Sequence, residues 1–258
     1  MRHRLGIVLS GGGSRGLAHA GVLRALVEDG IEPDCVSGTS SGAIIGALYA
    51  AGHSAAEMLR FFEVANPFRL SRLALGKPGF IDGEKIAADF KQWLPDDSFE
   101  ALHKPLFVTA TDLVAGRLEI FSSGPLVRTL IASSAVPFVF SPTAIGDRLF
   151  ADGGIVDNFP IEPLIGLCDK ILGVYATPLR EPLPNELDST FAVSQRALEI
   201  GMYNASKRKF HQADYLLCPA ELSLYSTFDT KRHAEIAAIG YRAARESMAE
   251  IRAHLGFD

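Results

Sequence analysis

Short apolar runs that alternate with longer segments of helical period constrain the fold of this 258-residue chain most strongly. Strands separated by helical segments are typical of a parallel sheet with helices on both faces. We therefore predict an α/β fold, a three-layer α/β/α sandwich with a mostly parallel central sheet. The predicted strands span residues 5–10, 34–37, 105–111, 117–121, 148–151, 170–175 and 213–217.

Several segments between and after these strands carry apolar residues at helical spacing and end near glycine or proline. They predict helices over residues 17–30, 43–51, 126–135 and 229–254, the last of them long. No internal repeat, low-complexity tract or linker divides the chain, and its length lies within the range of single α/β domains. We expect one domain over residues 1–258.

The composition excludes some classes of partner. A formal net charge of −5 argues against nucleic acid, because binding to nucleic acid requires clustered cations. Cys35, Cys168 and Cys218 have no metal-type spacing and suit a reducing compartment as free thiols.

The first apolar run is too short for a signal peptide, and no run approaches the ~18 residues of a membrane-spanning helix. We expect a cytoplasmic protein without metal or cofactor. Contact with a membrane surface and the oligomeric state stay open.

One pentapeptide, Gly38-Thr39-Ser40-Ser41-Gly42, has the pattern Gly-x-Ser-x-Gly. It lies between a short predicted strand and a helix of small residues, where such a segment forms a sharp turn that exposes the serine hydroxyl. Side chains in place of Gly38 and Gly42 would collide with the neighbouring strand or helix. The bare pattern also fits a plain turn, but its context predicts Ser40 as a catalytic nucleophile.

The first predicted strand ends in a glycine-rich loop, Gly11, Gly12, Gly13, Ser14, Arg15 and Gly16. The backbone N–H groups of such a loop, at the start of a helix, form an anion site. In a dinucleotide-binding protein this site would hold a pyrophosphate, with Glu32 or Asp34 contacting the ribose. Asp34, however, comes at the start of its strand rather than at the tip. We therefore favour a loop that stabilises the oxyanion of a tetrahedral intermediate.

A serine nucleophile needs a proton acceptor, which is usually a histidine. No histidine of the sequence follows a strand in a glycine-flanked loop; the seven are His3, His19, His53, His103, His211, His233 and His254. Asp152 does lie at a predicted strand end, and Gly153 and Gly154 after it allow close approach of another loop. Asp157, in the same loop, is interpreted as a helix cap ahead of Pro160.

Together these three motifs resemble the patatin-like phospholipase family, in particular its short bacterial members. The resemblance runs from the first strand to about Tyr175, with supporting similarity in residues 17–23, 132–137 and 157–160. It implies a Ser-Asp dyad without histidine, in which Ser40 is the nucleophile and Asp152 the base. It further implies an oxyanion hole formed by the amides of Gly11, Gly12 and Gly13. Arg15 and Gly16 support that loop. The glycines of the other two motifs are Gly38, Gly42, Gly153 and Gly154.

The resemblance implies a serine acyl hydrolase of lipase or phospholipase A type, which cleaves fatty-acyl esters of lipids through an acyl-enzyme. Two alternatives stay open: a nucleotide-binding protein that uses the loop at residues 11–16, and a non-catalytic adaptor on the same fold. Residues 66–83 mix apolar and basic side chains, and they form either a surface loop or a flap that covers substrate or touches a membrane. We expect four phenylalanines to shape the pocket, namely Phe68, Phe80, Phe138 and Phe140.

Overall fold

A mixed eight-stranded sheet forms the centre of the computed structural model, which describes residues 3–65, 72–74, 76 and 78–257. The strands are β1 (His3–Leu9), β2 (Cys35–Thr39), β3 (Leu106–Asp112), β4 (Arg117–Phe121), β5 (Thr143–Ile145), β6 (Arg148–Asp152), β7 (Cys168–Val174) and β8 (Tyr215–Leu217). Their order is β5-β6-β3-β2-β1-β7-β8, and β4 pairs with β3 beside this path.

The central strands are parallel. β1 pairs in parallel with β2 and β7, and parallel pairing continues to β3 on one side and to β8 on the other. The remaining pairs, β3 with β4, β3 with β6 and β5 with β6, are antiparallel and lie at one end of the sheet. The predicted α/β fold with a mostly parallel sheet is therefore confirmed.

β1 shows why the centre of the sheet is buried on both faces. Leu5, Ile7 and Leu9 pack into the larger core cluster, whereas Val8 packs into a second cluster that contains Phe159. Successive side chains of a strand point to opposite faces of the sheet. An apolar run that is buried on both faces is typical of a central parallel strand.

The described α-helices cover the sheet or lie at its edges. They are α1 (Ala18–Glu28), α2 (Ser41–Ala50), α3 (Ala55–Val64), α4 (Ala87–Phe90), α5 (Leu126–Ser133), α6 (Thr190–Lys207), α7 (His233–Glu246) and α8 (Met248–Leu255). Short 3₁₀ turns lie between them, including Gly13–Leu17 before α1 and Gly153–Ile155 after β6. Within the described ranges, no helix combines the length and the apolar character that crossing a membrane requires.

The single long helix predicted over residues 229–254 is wrong. The structure divides it into α7 and α8 at Ser247, whose backbone lies at φ −92°, ψ 4°. α7 packs against α1, whereas α8 packs against β7 and β8, so the two helices follow different partners. The start also differs, because the Asp229 carboxylate accepts the amides of Lys231 and Arg232 in a turn before α7.

Three helices, α3, α4 and α6, have no counterpart in the sequence-based prediction. α3 begins with a capping box, in which Ser54 Oγ accepts the Glu57 amide and the Glu57 carboxylate accepts the Ser54 amide. α6 buries only Ser206 among its 18 residues, so its apolar residues form no clear stripe toward a core.

Candidate active site

The glycine-rich loop, Ser40 and Asp152 meet at one edge of the sheet. The loop follows β1 and Ser40 follows β2, and neighbouring parallel strands bring their carboxyl ends together. Asp152 ends β6, which runs antiparallel to β3. The register places Asp152 opposite Ala110, and Thr39 opposite Thr109, the preceding residue of β3. Ser40 and Asp152 therefore lie at the same level on either side of β3.

Ser40 occupies a strained turn between β2 and α2. Its backbone has φ 54° and ψ −128°, a region that L side chains adopt rarely. Its amide donates to Ser133 Oγ at 2.8 Å, and its carbonyl accepts the Ile44 amide at 3.1 Å. A Cβ on Gly42 would lie 2.2 Å from the Leu9 carbonyl oxygen, so this turn requires glycine there. The turn places the Ser40 side chain at the N-terminus of α2.

Asp152 is a buried carboxylic acid held from several sides. Its Oδ1 accepts the Gly154 amide at 2.8 Å, and the Ser40 hydroxyl lies near enough to favour the ionised form of the carboxyl group. The Asp152 amide donates to the Ala135 carbonyl, and the Asp152 carbonyl accepts from Thr111 Oγ1. Burial raises the pKa of Asp152 to about 6, against the opposing effect of the Gly154 amide and the nearby Ser40 hydroxyl. A carboxylate with such a pKa is suited to proton transfer near neutral pH.

The amides of the glycine-rich loop are available to a ligand. Gly11, Gly12 and Gly13 donate to no backbone carbonyl among the residues that the structure describes. All three line the same cavity as Ser40 and Asp152. Such a set of backbone donors at the start of a helix is suited to an anion.

Arg15 ties this loop to distant parts of the chain. Arg15 is only 6% exposed, and its guanidinium donates to Glu199 Oε1 of α6 at 2.8 Å and to Thr227 Oγ1 at 2.7 Å. The amide of Ser14 donates to the Thr227 carbonyl at 2.8 Å. These bonds connect the loop to α6 and to the segment that precedes α7.

Two cavities meet at Ser40. We call the first the Asp152 cavity; besides the loop, Ser40 and Asp152, its lining includes Asn158, Phe138, Phe191 and Leu198. We call the second the Phe61 cavity; it has a volume of about 300 Å³, and its lining includes Ser40, Ile44, Phe61, Phe90, Leu130 and Ile131. Ser40 and Gly13 line both cavities, whereas Asp152 and Asn158 line only the first.

The histidines take no part in the contact between Ser40 and Asp152. In the described part of the chain, no histidine lines the Asp152 cavity, although His233 lines the Phe61 cavity. His19 is fully buried with its Nε2 2.8 Å from the Ser10 carbonyl, and burial lowers its pKa to about 4. His53 Nε2 lies 2.7 Å from the Trp93 carbonyl.

Asp34 and Asp157, which have no catalytic role in the sequence-based prediction, have structural partners. Asp34 precedes β2 at its amino end, where its carboxylate accepts the Leu5 amide at 3.0 Å, far from a ribose position beside the loop. The interpretation of Asp157 as a helix cap is wrong. Among the described residues, no helix begins directly after Asp157, since the next 3₁₀ turn starts at Glu162. The Asp157 carboxylate instead accepts the Phe159 amide at 3.0 Å and pairs with Lys209 Nζ at 2.7 Å.

Several residues that complete the site have no individual role in the sequence-based prediction. Ser133 and Thr227 hold Ser40 and the loop from far away in the chain, so no local pattern points to them. Asn158 is fully buried beside Gly11, and its Nδ2 donates to Thr177 Oγ1 at 3.0 Å. Its position in the loop after Asp152 was the available signal.

The predicted flap at residues 66–83 falls largely outside the described residues, since 66–71, 75 and 77 are not among them. Of the four phenylalanines predicted to shape the pocket, Phe138 lines the Asp152 cavity and Phe140 the Phe61 cavity. Phe80 is 72% exposed and is not among the described residues that line either one. Phe68 lies outside the described residues.

The fold and the site together define a class of α/β proteins that carry a serine on a strained strand–helix turn beside a buried carboxylic acid and free backbone amides. The sequence model of the patatin-like phospholipase family matches residues 7–165, which include all three parts of the site. The chain belongs to the patatin-like phospholipase family. The resemblance drawn from the three motifs is confirmed.

Two relatives, one from a bacterium and one from a yeast, are similar to this chain in sequence. An uncharacterized NTE family protein of Mycobacterium tuberculosis (strain ATCC 25618 / H37Rv) is 34% identical over 190 residues, which are 70% of this chain and 53% of the relative. Lysophospholipase NTE1 of Yarrowia lipolytica (strain CLIB 122 / E 150) is 31% identical over 169 residues, 62% of this chain and 12% of the relative. The chain thus spans about half the length of the first of these relatives and less of the second.

Two solved structures share the fold. VipD from Legionella pneumophila has a TM-score of 0.55 at 18% identity, covering 97% of this chain and 67% of that protein. Human GIVD cytosolic phospholipase A2, in complex with methyl gamma-linolenyl fluorophosphonate, has a TM-score of 0.54 at 13% identity, covering 98% and 58%. At these identities the likeness concerns the fold alone, and it supports the patatin-like α/β architecture.

Proposed function

We propose that this protein is a serine acyl hydrolase that cleaves fatty-acyl ester bonds of lipids through a Ser40–Asp152 dyad and an acyl-enzyme intermediate. The juxtaposition of Ser40 with the buried carboxyl group of Asp152 in one cavity, beside the amides of the glycine-rich loop, carries the proposal. Membership of the patatin-like phospholipase family and the lysophospholipase name of a relative support a lipid ester as the substrate class.

The proposed reaction moves one proton between two side chains. Ser40 Oγ attacks the ester carbonyl carbon while Asp152 accepts the hydroxyl proton. The tetrahedral intermediate then expels the alcohol, to which Asp152 returns the proton. Water attacks the acyl-serine, Asp152 takes a proton from it, and Ser40 recovers that proton as the fatty acid leaves. None of these reaction steps requires a histidine.

In this mechanism the oxyanion of each tetrahedral intermediate lies at the amides of Gly11, Gly12 and Gly13. A donor aimed at a developing oxyanion contributes about 3–4 kcal/mol to the transition state. The amide of Ser40 is already bonded to Ser133 Oγ, so we assign the donors to the loop rather than to the serine itself.

We also propose that residues 1–258 work as one patatin-like domain in the cytoplasm. β7 and β8 continue the sheet beyond residue 165, where the family match ends, and α7 packs against α1. The free thiols of Cys35, Cys168 and Cys218 support a reducing compartment.

We propose further that the protein contacts membranes peripherally during turnover. Phe138 and Phe191 line the Asp152 cavity, yet 64% and 48% of their surfaces are exposed. Large apolar side chains exposed at the mouth of a site indicate an interaction surface. A lipid aggregate is the partner that matches both this surface and an ester substrate.

Ser40→Ala tests the proposed dyad. The variant should lose turnover of p-nitrophenyl butyrate and of a lysophospholipid by about a thousandfold or more, because the nucleophile is gone. Covalent labelling by a fluorophosphonate probe should disappear with it. The matched controls His211→Ala and His233→Gln should keep both signals. Loss of both signals in either control, with an unchanged circular dichroism spectrum, would replace the dyad with a triad.

A further inference from the structure

The two cavities that meet at Ser40 differ in which catalytic group they contain. Asp152, Gly11 and Gly12 line the Asp152 cavity only. Ser40 and Gly13 line both, so a carbonyl carbon bonded to Ser40 Oγ borders both cavities. An ester also has two sides, the acyl chain and the alcohol.

We propose that the acyl chain occupies the Phe61 cavity, the alcohol occupies the Asp152 cavity, and Ile44 sets the acyl length that the site accepts. This inference rests on the proposed hydrolase function. The leaving alkoxide must receive its proton from Asp152, so the alcohol lies on the side that Asp152 lines. The acyl chain then extends into the other cavity.

The walls of the Phe61 cavity suit an alkyl chain. Phe61 and Phe90 are each 2% exposed, with ring centroids 4.8 Å apart, and Leu130 is fully buried beside them. Every methylene that enters such a cavity leaves water for an apolar surface, so longer acyl chains gain transition-state binding. The charged lining residue Glu63 is exposed and marks the solvent side.

Ile44 is the first large apolar residue after Ser40, and both residues line the Phe61 cavity. It lies one helical turn after Ser40, to whose carbonyl its amide donates at 3.1 Å. The Ile44 side chain is half-buried. A larger side chain at this position narrows the Phe61 cavity, which Asp152, Gly11 and Gly12 do not line.

The test compares Ile44→Trp with a matched variant in the other cavity, Leu198→Trp, since the half-buried Leu198 lines the Asp152 cavity. The substrates are p-nitrophenyl esters from acetate to palmitate, which vary the acyl chain, and butyrate esters of alcohols of increasing bulk. Ile44→Trp should lower kcat/KM for dodecanoate by about tenfold or more relative to acetate. Leu198→Trp should preserve the acyl-length profile and penalise the bulky alcohols.

A second variant, with a smaller side chain at position 44, tests the inference even if Ile44→Trp fails to fold. Ile44→Ala should shift the preference toward longer acyl chains, and fluorophosphonate labelling reports whether each variant retains a working Ser40. The inference is overturned if Leu198→Trp, rather than Ile44→Trp, shortens the accepted chain, or if neither variant changes the profile. Absence of Ser40-dependent turnover of even the acetate ester in the wild-type protein would instead refute the proposed function.

Discussion

The backbone of Ser40 is strained, and this is the residue whose side-chain oxygen we propose as the nucleophile. A non-glycine residue at φ 54° and ψ −128° costs on the order of 1–3 kcal/mol. The close contact of Gly42 with Leu9 and the bond from the Ser40 amide to Ser133 hold this conformation. The hydroxyl is therefore directed toward Asp152 by the folded chain before any substrate arrives.

The raised pKa of Asp152 predicts a pH dependence of activity. In the proposed mechanism only the ionised carboxylate accepts the Ser40 proton, and burial raises the pKa of Asp152 to about 6. kcat/KM for p-nitrophenyl butyrate should therefore rise with pH through this value, by about tenfold per pH unit on the acidic side, and then level off. A profile that stays flat between pH 4 and pH 8 would contradict a base with this pKa.

The same shift predicts the sign of a stability effect in Asp152→Asn, which should be inactive. The ordinary pKa of 3.8 is raised to about 6 in the folded state, so the folded protein binds this proton more tightly than the unfolded chain. The contribution of Asp152 to stability thus falls as pH rises from about 4 to about 6. The variant should gain on the order of 3 kcal/mol over the wild type at pH 8 and much less at pH 4. Thermal unfolding at both pH values measures the two differences, which would be equal if Asp152 were unshifted.

At the scale of elements, α1 and α7 approach so closely that they need glycine at the contact. A Cβ on Gly240 would lie 2.0 Å from the Ala18 carbonyl oxygen. Gly240→Ala should therefore destabilise the protein by about 1–3 kcal/mol in urea denaturation, since the two helices must move apart.

Gly201 on α6 is the matched control. Nothing lies within 4 Å of the position of its Cβ, and it too sits inside a helix. Gly201→Ala should stabilise the protein by up to about 1 kcal/mol, because alanine favours the helix. Equal stabilisation by both substitutions would rule out the close contact between α1 and α7.

Strands were the elements that sequence reasoning predicted best, because the central ones are buried on both faces and read as unbroken apolar runs. β1, predicted over residues 5–10, spans His3–Leu9, and β7, predicted over residues 170–175, spans Cys168–Val174. Helices were harder. α6 has almost no buried residue, and the break between α7 and α8 depends on which strands and helices they pack against. Such tertiary contacts leave no local pattern in the sequence.

The candidate site divides in the same way. Ser40, Asp152 and the glycine-rich loop stand out because tight turns at strand ends need glycines, which are visible in the sequence. Glu199 and Thr227, which hold Arg15, come from other segments and are adjacent to the loop only after folding. Even Asp152 was placed by a rule for parallel strands, although its strand is antiparallel and the register with β3 sets its level.

For the whole molecule, the exposed rings of Phe138 and Phe191 predict a difference between dissolved and aggregated substrates. The double variant Phe138→Ser, Phe191→Ser should lose about tenfold in hydrolysis of phosphatidylcholine vesicles relative to its effect on p-nitrophenyl butyrate, because apolar area that enters the lipid is lost. Val114→Ser is the control, since Val114 is 71% exposed and is not among the described residues lining either cavity. An equal loss on both substrates would place the two rings in substrate binding alone.

The position of β3 between Ser40 and Asp152 has a consequence for the order of events during folding. The two residues are far apart in the chain and come together only after β2 and β6 have both paired with β3. Local helices form early, whereas pairing between distant strands is slow. A refolding or newly synthesised chain therefore forms its helices before the candidate site is assembled. The proposed nucleophile has no proton acceptor until β2 and β6 have both paired with β3. We therefore expect a partly folded molecule to have no hydrolase activity.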